Sequence, residues 1–411
     1  MLRGVVVFAI TYVLVASQRL RIVKTDRPAG ALTGAVLAVA LGAITPAQAV
    51  EAIDHTTIIL LFAVMGMGAF LAVDGFFERA GRIVLSRVRT PRALVGALVW
   101  GSGILSAVVT NDAVCVLAAP LVVSWIKDYR LPRLPLLLAL ATGANTGSAA
   151  TLVGNPQNIL CGSLGHLAFG AFARHMLPVT LVALAINHAL LLLVFRKDLE
   201  GELPAASRPA GAPDERLLTV RSAVTLAVIL GTVVVYTAGG SLSFTALGGF
   251  VVLLLVHREE PENVWRRIDW SVLLFFGGLF VAVDALARSG AAAWAFERFP
   301  LLGEGPPRLA SWMRAATIFL VGSNVVTNVP FILVVRPHMD VLPDRVLAWE
   351  LLAMASTFAG NLTLLGSVAN IIVAEKAREI GGLRFVEHLK IGVPLAIITT
   401  VIGAAMLVAM H

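Results

Sequence analysis

Apolar segments long enough to enter a lipid bilayer follow one another along nearly the whole chain. Fourteen can be marked, from Gly4–Ser17 to the segment at 391–410, and short polar loops separate them. Charged residues make up only 14% of the 411 residues, whereas water-soluble proteins use about a quarter. The pattern predicts an all-α polytopic membrane protein with about ten full spans, because ~20 apolar residues cross the hydrocarbon core.

Basic residues are unevenly divided between alternate loops. Of the 32 Lys and Arg residues, 24 lie in six loops, at 19–27, 76–92, 127–133, 196–221, 257–267 and 374–390. The positive-inside rule assigns these loops to the cytoplasm. We therefore expect a multi-pass protein of the cell (inner) membrane with both termini outside. The net charge of +7 then reflects topology, and no nucleic-acid partner is expected.

Two pairs of apolar segments, at 93–126 and 311–335, each begin and end on one side of the predicted membrane. Each pair can be two full spans or one re-entrant hairpin. The turn of each pair is polar, with Thr110, Asn111 and Asp112 in the first and Thr327 and Asn328 in the second. Lipid cannot satisfy polar backbone and side chains, so these turns favour hairpins buried within the protein.

Three short sequence motifs recur in the same order in the two halves of the chain, 210 to 217 residues apart. The pairs are Phe70–Asp74 with Phe280–Asp284, Val108–Asn111 with Val325–Asn328, and Thr151–Gly154 with Thr363–Gly366. The predicted loop locations make the halves opposite in direction. We expect a first half at 1–195, a cytoplasmic Pro/Gly/Ala-rich linker at 196–221 and a second half at 222–411, forming an inverted-repeat secondary transporter.

Uncharged polar residues are concentrated at four interruptions of the apolar segments. Two lie at the hairpin turns, and two divide the predicted broken helices at 134–165 and 349–373. Broken helices expose backbone N–H and C=O groups that can bind a substrate, and amide and hydroxyl side chains add uncharged donors and acceptors. The alternative is that these side chains only join neighbouring helices. The candidate substrate-binding residues are Thr110, Asn111, Asn145, Thr151, Asn155, Gln157, Asn158, Thr327, Asn328, Asn361, Thr363, Ser367 and Asn370.

Asp112 breaks the symmetry of the two hairpins, because Val329 occupies the matching position. An ionisable residue at this depth is a functional candidate, which makes Asp112 the predicted proton or cation carrier. It can also cap a helix that starts near Ala113. Asp74 and Asp284 lie at span ends, where caps or ion pairs are the simpler interpretation.

The two cysteines, Cys115 and Cys161, each lie about one helical turn beyond a polar break. A thiol there could touch a metalloid substrate, but a small buried apolar filler is the simpler interpretation. We predict no metal site and no catalytic residues.

The segments Leu140–Gly165 and Ala359–Gly382 resemble the paired signatures of the ion transporter superfamily. The nearest branch contains arsenite efflux permeases and P-protein-like permeases, which share a citrate-transporter-like domain. The resemblance covers essentially the whole chain. It implies a scaffold and a mobile transport domain with an elevator motion, often in a homodimer. One departure is Asn155-Pro156-Gln157-Asn158, where the family often has Asp-Pro-Pro-Asn, so that one charge is missing.

The resemblance leaves several functions open for this chain. Proton-coupled efflux of arsenite or antimonite is the first, because a neutral trihydroxide matches an uncharged site; a cytosolic ATPase subunit is then a possible partner. Sodium–proton antiport through Asp112 is the second, and transport of a carboxylate or other small anion is the third. A channel, without the charged rings of a selectivity filter, fits less well. Apart from the proton or sodium as coupling ion, we expect no cofactor.

Overall fold

The computed structural model describes residues 2–20, 26–203, 216–303 and 308–411, and its regular structure in these residues is entirely helical. Twenty α-helices are present in this part of the chain. In chain order they are α1 (Leu2–Leu20), α2 (Arg27–Ala40), α3 (Pro46–Glu51), α4 (His55–Val73), α5 (Phe76–Arg87), α6 (Pro91–Ser106), α7 (Asn111–Tyr129), α8 (Arg133–Gly147), α9 (Pro156–Gly165), α10 (Phe169–Val194), α11 (Val220–Thr237), α12 (Leu242–His257), α13 (Pro261–Trp265), α14 (Trp270–Arg288), α15 (Ala291–Arg298), α16 (Leu309–Val325), α17 (Asn328–Met339), α18 (Arg345–Leu362), α19 (Val368–Lys376) and α20 (Phe385–Met410).

The order of helices in the first half recurs in the second, so that α1–α10 correspond to α11–α20. Short helices occupy matching places, as α3 and α13 do, and each half ends in a 26-residue helix. Packing follows the same correspondence. Helix α2 of the first half packs on α14 of the second, and α4 packs on α12.

Helix starts follow local capping chemistry. Thr45 caps α3 in a capping box with Gln48, Asp54 caps α4, and Thr90 caps α6 directly before Pro91. A side-chain oxygen at the cap accepts a hydrogen bond from a backbone N–H that has no partner inside the helix. Proline suits the first helical position because its missing N–H is not needed there.

Two groups of helices can be distinguished by their packing. Helices α1 and α2 pack on α14, and α4 packs on α11 and α12. In the other group α8 packs on α6 and α10, while α18 packs on α16 and α20. One apolar core, containing Phe70, Leu136 and Trp349, runs through both groups.

Five described helices are long and apolar enough to cross a membrane: α4, α10, α11, α14 and α20. The prediction of about ten full spans counted apolar segments, and the structure supports only the smaller number by helix length and hydropathy. Polar breaks explain much of the difference, because they divide apolar segments such as 134–160 into the shorter helices α8 and α9.

The predicted linker at 196–221 lies partly outside the described residues, at 204–215. Its first residues pack against the first half, because Leu199 and Leu203 are buried. The amide of Leu203 also donates to the carbonyl of Arg89, 2.8 Å away. The described start of this segment is therefore packed against the first half, and the linker itself stays a prediction.

Candidate functional site

Two helical segments are interrupted at matching positions. Helix α8 ends at Gly147 and is followed by a 3₁₀ turn before α9, and α18 ends at Leu362 before a similar turn and α19. Asn155 and Ser367 occupy the N-cap positions of α9 and α19 in extended conformations. Both side chains accept a backbone N–H of their own helix, so each break ends in a capped helix N-terminus.

Asn158 and Asn370, 212 residues apart, close the two breaks with the same hydrogen bonds. The amide group of Asn158 donates to the carbonyls of Ser148 and Thr151, at 3.2 and 2.9 Å. That of Asn370 donates to the carbonyls of Gly360 and Thr363, at 2.8 and 3.1 Å. Both side chains are fully buried. They satisfy carbonyls that the interrupted helices leave without an intrahelical partner.

Asn145 lies at the centre of a buried network that joins the halves. Its Oδ1 accepts from Asn111 Nδ2 and from Ser367 Oγ, both at 2.9 Å. Its Nδ2 donates to Asn370 Oδ1 at 2.8 Å and to Asn361 Oδ1 at 3.2 Å. One amide therefore connects the start of α7 with three residues of the opposite half.

Thr357 occupies the position in the second half that matches Asn145. Its hydroxyl donates to Asn158 Oδ1 at 3.0 Å and accepts from Asn155 Nδ2 at 3.1 Å. The asparagine that closes each break is thus fixed by a residue of the other half. Asn361 adds a further link by donating to Thr146 Oγ1 at 3.0 Å, and His388 Nε2 lies 2.8 Å from its carbonyl oxygen.

A cavity of about 730 Å³ lies where the breaks meet the starts of α7 and α17. Six of the predicted residues line it: Asn111, Asp112, Gln157, Thr327, Asn328 and Ser367. Charged residues of both signs also line it: Asp26, Arg27, Asp269, Glu375, Arg378 and Arg384. Arg378 and Arg384 are exposed, so this part of the cavity wall faces solvent.

Asn111 and Asn328 present their side chains to the cavity in a matching way. Asn111 Nδ2 donates to Asn145, and Asn328 Nδ2 donates to the carbonyl of Gly366 at 3.2 Å. Both Oδ1 atoms are buried and have no hydrogen-bond partner among the described residues, as is also true of Thr327 Oγ1. A buried acceptor without a partner costs free energy, of the order of ~1–3 kcal/mol. The two oxygens are therefore suited to accept hydroxyl protons or to bind a cation.

Asp112 lies in the first turn of α7, because that helix begins at Asn111. It is therefore not the residue that caps α7, and Thr110 occupies the cap position instead. Its carboxylate lies close to the backbone N–H of Ala369 in the first turn of α19, a group that donates to Ser367 Oγ at 3.2 Å. The helix N-terminus favours a negative charge there, which gives Asp112 a specific partner in the opposite half.

Asp284 forms an ion pair, as the sequence favoured, and Asp74 contacts a buried histidine and a threonine hydroxyl. The Oδ2 atom of Asp74 lies 3.3 Å from His257 Nε2 and accepts from Thr225 Oγ1 at 2.9 Å. Asp284 pairs with Arg288 one helical turn later, at 2.6 Å.

Cys115 and Cys161 are buried free thiols among apolar side chains, and neither lines the cavity. This location is the apolar filling that the sequence favoured.

The other predicted substrate-binding residues do not line the cavity. Most lie behind its wall, where their side chains bond to backbone groups or to one another: Asn145, Thr151, Asn155, Asn158, Asn361, Thr363 and Asn370. Thr110 is buried beside them.

Residues that sequence reasoning missed include Thr357 and Asn324, whose Nδ2 donates to the carbonyl of Ala359 at 2.7 Å. Asn324 precedes the Thr327-Asn328 turn by a few residues, so its nearness to a break was the available signal.

Comparison with known proteins gives consistent results. A family model described as "Citrate transporter" matches residues 12–359. The silicon efflux transporter LSI3 of Oryza sativa subsp. japonica is 30% identical, over 97% of this chain and 96% of its own. A transporter named arsB from Dictyostelium discoideum is 27% identical, over 98% and 91%. The crystal structure of the YdaH transporter of Alcanivorax borkumensis shares the fold, with a TM-score of 0.53 and 13% identity over 87% and 86% of the two chains.

The apolar helices, the paired breaks and the cavity between them, together with these relatives, define an integral membrane transporter. The chain belongs to the citrate transporter (CitMHS) family, and the expected resemblance to the ion transporter superfamily is confirmed.

Proposed function

We propose that the protein is a proton-coupled secondary transporter that exports a small uncharged oxyacid, with arsenous acid and its antimony counterpart as the first candidates. The observation that carries this proposal is that Asn111 and Asn328 line the cavity, and that each has a buried amide oxygen with no hydrogen-bond partner among the described residues.

The chemistry of such an acid matches these acceptors. Undissociated arsenous acid carries three hydroxyl donors and no charge, so it can donate to both oxygens and to Thr327 Oγ1. The names of two relatives support the class, since one is named a silicon efflux transporter and the other a transporter arsB. The arrangement favours release as well, because uncharged hydrogen bonds hold a ligand less firmly than an ion pair does.

Asp112 is the coupling residue in this proposal. It lines the cavity next to Asn111, and its carboxylate lies at the N-terminus of α19. When Asp112 is ionised it interacts with the N-terminus of α19, and when it is protonated that interaction weakens. Proton binding would therefore change how the start of α7 packs against the start of α19. In the proposed mechanism this contact between the two halves changes as the substrate site moves.

Alternating access is proposed to follow from an inverted repeat with two re-entrant hairpins and to proceed as an elevator. The matching bonds of Asn158 and Asn370 support the repeat. Arg27, Arg378 and Arg384 come from loops with a predicted cytoplasmic location, and they line the open cavity. The conformation described here is accordingly assigned as inward-open.

The test is transport by the purified protein in proteoliposomes that hold a pH gradient. Addition of arsenite is expected to dissipate the gradient without sodium, and Asp112→Asn should abolish that proton movement. Asp284→Asn is the matched control, because its carboxylate pairs with Arg288 outside the cavity. Proton movement that survives Asp112→Asn would contradict the coupling assignment, and a signal that requires sodium in place of arsenite would identify a sodium–proton antiporter.

Transport of a carboxylate is the second candidate, and the arginines of the cavity wall favour it. Arg384 and Arg378 could attract an anion, and the family model is described as "Citrate transporter". Acidic residues line the same wall, and one of them, Glu375, pairs with Arg378 at 3.2 Å. Citrate uptake that outcompetes arsenite in the same vesicles would support this candidate. Arg378→Gln and Arg384→Gln should then reduce uptake, whereas neither variant should lower the affinity for a neutral acid.

A further inference from the structure

A second cluster of ionisable side chains lies outside the cavity, where three long helices meet. His175 belongs to α10, Glu350 to α18, and His411 follows α20. The Glu350 side chain is 0% exposed. His175 Nδ1 lies 3.1 Å from both carboxylate oxygens, and His411 Nε2 lies 3.0 Å from Oε2. Two imidazoles, one on α10 and one directly after α20, thus converge on one buried carboxylate.

Asp344 fixes the orientation of one of these imidazoles. It is the N-cap of α18, where Oδ1 accepts from the backbone N–H of Leu347 at 2.9 Å. Its Oδ2 lies 3.3 Å from His411 Nδ1, on the far side of the ring from Glu350. A carboxylate on the outer nitrogen of a histidine is the arrangement that positions histidine ligands of metals.

We propose that His175, Glu350 and His411 form a binding site for a divalent transition-metal ion of the zinc type, with Asp344 as the positioning residue for His411. The ligands would be His175 Nδ1, a carboxylate oxygen of Glu350 and His411 Nε2. Two neutral imidazoles and one carboxylate are a common zinc ligand set, and they leave a fourth position for water.

The distances are compatible with this coordination. Zinc bonds of ~2.0–2.1 Å in a tetrahedron place neighbouring ligand atoms about 3.3 Å apart. The two distances to Glu350 are 3.1 and 3.0 Å, and all three ligand atoms lie within 4.8 Å of one another. Only the separation between the two imidazoles has to shorten. Their rings meet edge to face, with centroids 4.8 Å apart, so rotation about the side-chain bonds can bring the nitrogens closer.

A site of this kind would join α10, α18 and the residue after α20, and α18 is the helix that continues to Asn361 and the second break. Arg174 in α10 and Arg345 at the start of α18 are close to the ligands in sequence, and the distribution of basic residues predicts that both lie on the external side of the membrane. The ion would therefore be supplied from the external side. It would stabilise the packing of three helices without contacting the transport cavity, since none of the ligands lines it.

The alternative is that the two histidines only form hydrogen bonds with Glu350. A measurement of metal binding distinguishes a metal site from such a hydrogen-bonded cluster. The protein, purified in detergent through a tag without histidines and stripped with EDTA, is titrated with zinc chloride. We expect about one bound zinc per chain and a higher unfolding temperature with zinc. His175→Gln, His411→Gln and Glu350→Gln should each weaken binding at least tenfold, and Asp344→Asn should weaken it less. His55→Gln is the control, because His55 is exposed on α4.

A spectroscopic measurement covers the case in which a variant fails to fold. Cobalt(II) added to the wild-type protein should produce the intense visible absorption of a four-coordinate site, and zinc should displace it. The proposal is overturned if wild-type protein binds no zinc, if cobalt gives only the weak absorption of the hydrated ion, or if folded His175→Gln and His411→Gln variants bind zinc as the wild type does. These outcomes are independent of the substrate, so they leave the proposed transport function untouched.

Discussion

An asparagine side chain carries a donor and an acceptor on one planar group, and the asparagines at the breaks use both. Asn158 and Asn370 bind backbone carbonyls with the nitrogen and accept from the opposite half with the oxygen. No charge is placed in the apolar interior, where an unpaired charge is far more costly than an amide. The same residue type can therefore close a broken helix and hold two halves together.

Asn145→Ala should be strongly destabilising, because it removes four side-chain hydrogen bonds at once. With a net contribution of ~0.5–1.5 kcal/mol for each bond, a loss of about 2–6 kcal/mol is expected. Thermal unfolding in detergent measures it. Ser124→Ala is the control, since Ser124 Oγ bonds only to the carbonyl of Leu121 in its own helix, and its loss should be small. Equal stability of the two variants would mean that Asn145 does not hold the halves together.

Thr327 has a φ of +72°, which is rare for a β-branched residue, whereas Thr110 at the matching turn has a φ of −59°. Such a conformation stores about 1–3 kcal/mol of strain. Thr327→Gly should therefore leave stability unchanged or raise the unfolding temperature. Thr110→Gly should lower it, by about 0.5–1 kcal/mol in free energy, because glycine brings only additional entropy loss there. A clear loss of stability in Thr327→Gly would show that the threonine is not strained.

Sequence reasoning located these residues because asparagine and threonine are conspicuous within apolar segments, and because they recur at matching positions. It did not distinguish cavity residues such as Asn111 and Gln157 from wall residues such as Asn158. Whether a side chain lines the cavity or lies in its wall depends on which residues of the other half contact it. The spacing of residues along the sequence carries no such information. Arg378 and Arg384 were missed as cavity residues for the same reason, since they were read only as topology signals.

At the level of elements, the close contact of α6 and α8 depends on glycine. Gly147 lies against the backbone of Gly103, and a Cβ atom at Gly147 would collide with it. Small residues at such contacts let helix backbones approach closely in membranes, where packing drives association.

Gly147→Ala should consequently separate α6 from α8 and reduce the yield of folded protein, with a loss above about 1 kcal/mol. Gly101→Ala is the matched control, because a Cβ there meets no atom within 4 Å, although it lies on the same α6. Alanine favours helix by up to ~1 kcal/mol, so Gly101→Ala should be neutral or stabilising. Size-exclusion profiles and unfolding temperatures measure how the folded yield and the stability of the two variants differ. A well-folded Gly147→Ala variant would show that α6 and α8 can move apart with little loss of free energy.

The main elements were predictable because hydrophobic runs and polar interruptions are visible in one dimension. The start of α7 fell two residues before the expected position near Ala113, since Asn111 already has helical geometry. The amphipathic helix α5 and the short helices α13 and α15 were not predicted, because loops were recognised there by charge. Proline was a poor guide within long helices, as Pro178 and Pro394 lie inside α10 and α20.

At the level of the whole molecule, the cavity opens on one side, and cysteine accessibility tests that side. Gln157→Cys places a thiol on the cavity wall, and Val341→Cys places one at a residue that is 78% exposed between α17 and α18. A membrane-impermeant maleimide should label Gln157→Cys in inside-out vesicles and Val341→Cys in intact cells. The native Cys115 and Cys161 are buried and should react little. Labelling of both variants from the same side would contradict the predicted topology.

Asp112 has no acidic counterpart in the second half, where Val329 occupies the matching position. For a carrier of the proposed kind this asymmetry has an electrical consequence. A neutral oxyacid adds no charge to the moving site, so the state of one carboxyl group decides whether a crossing moves charge through the field. A potential of 100 mV does about 2.3 kcal/mol of work on one elementary charge. The membrane voltage would then favour the crossing of one protonation state over the other, and currents recorded with and without substrate would reveal which step carries the charge.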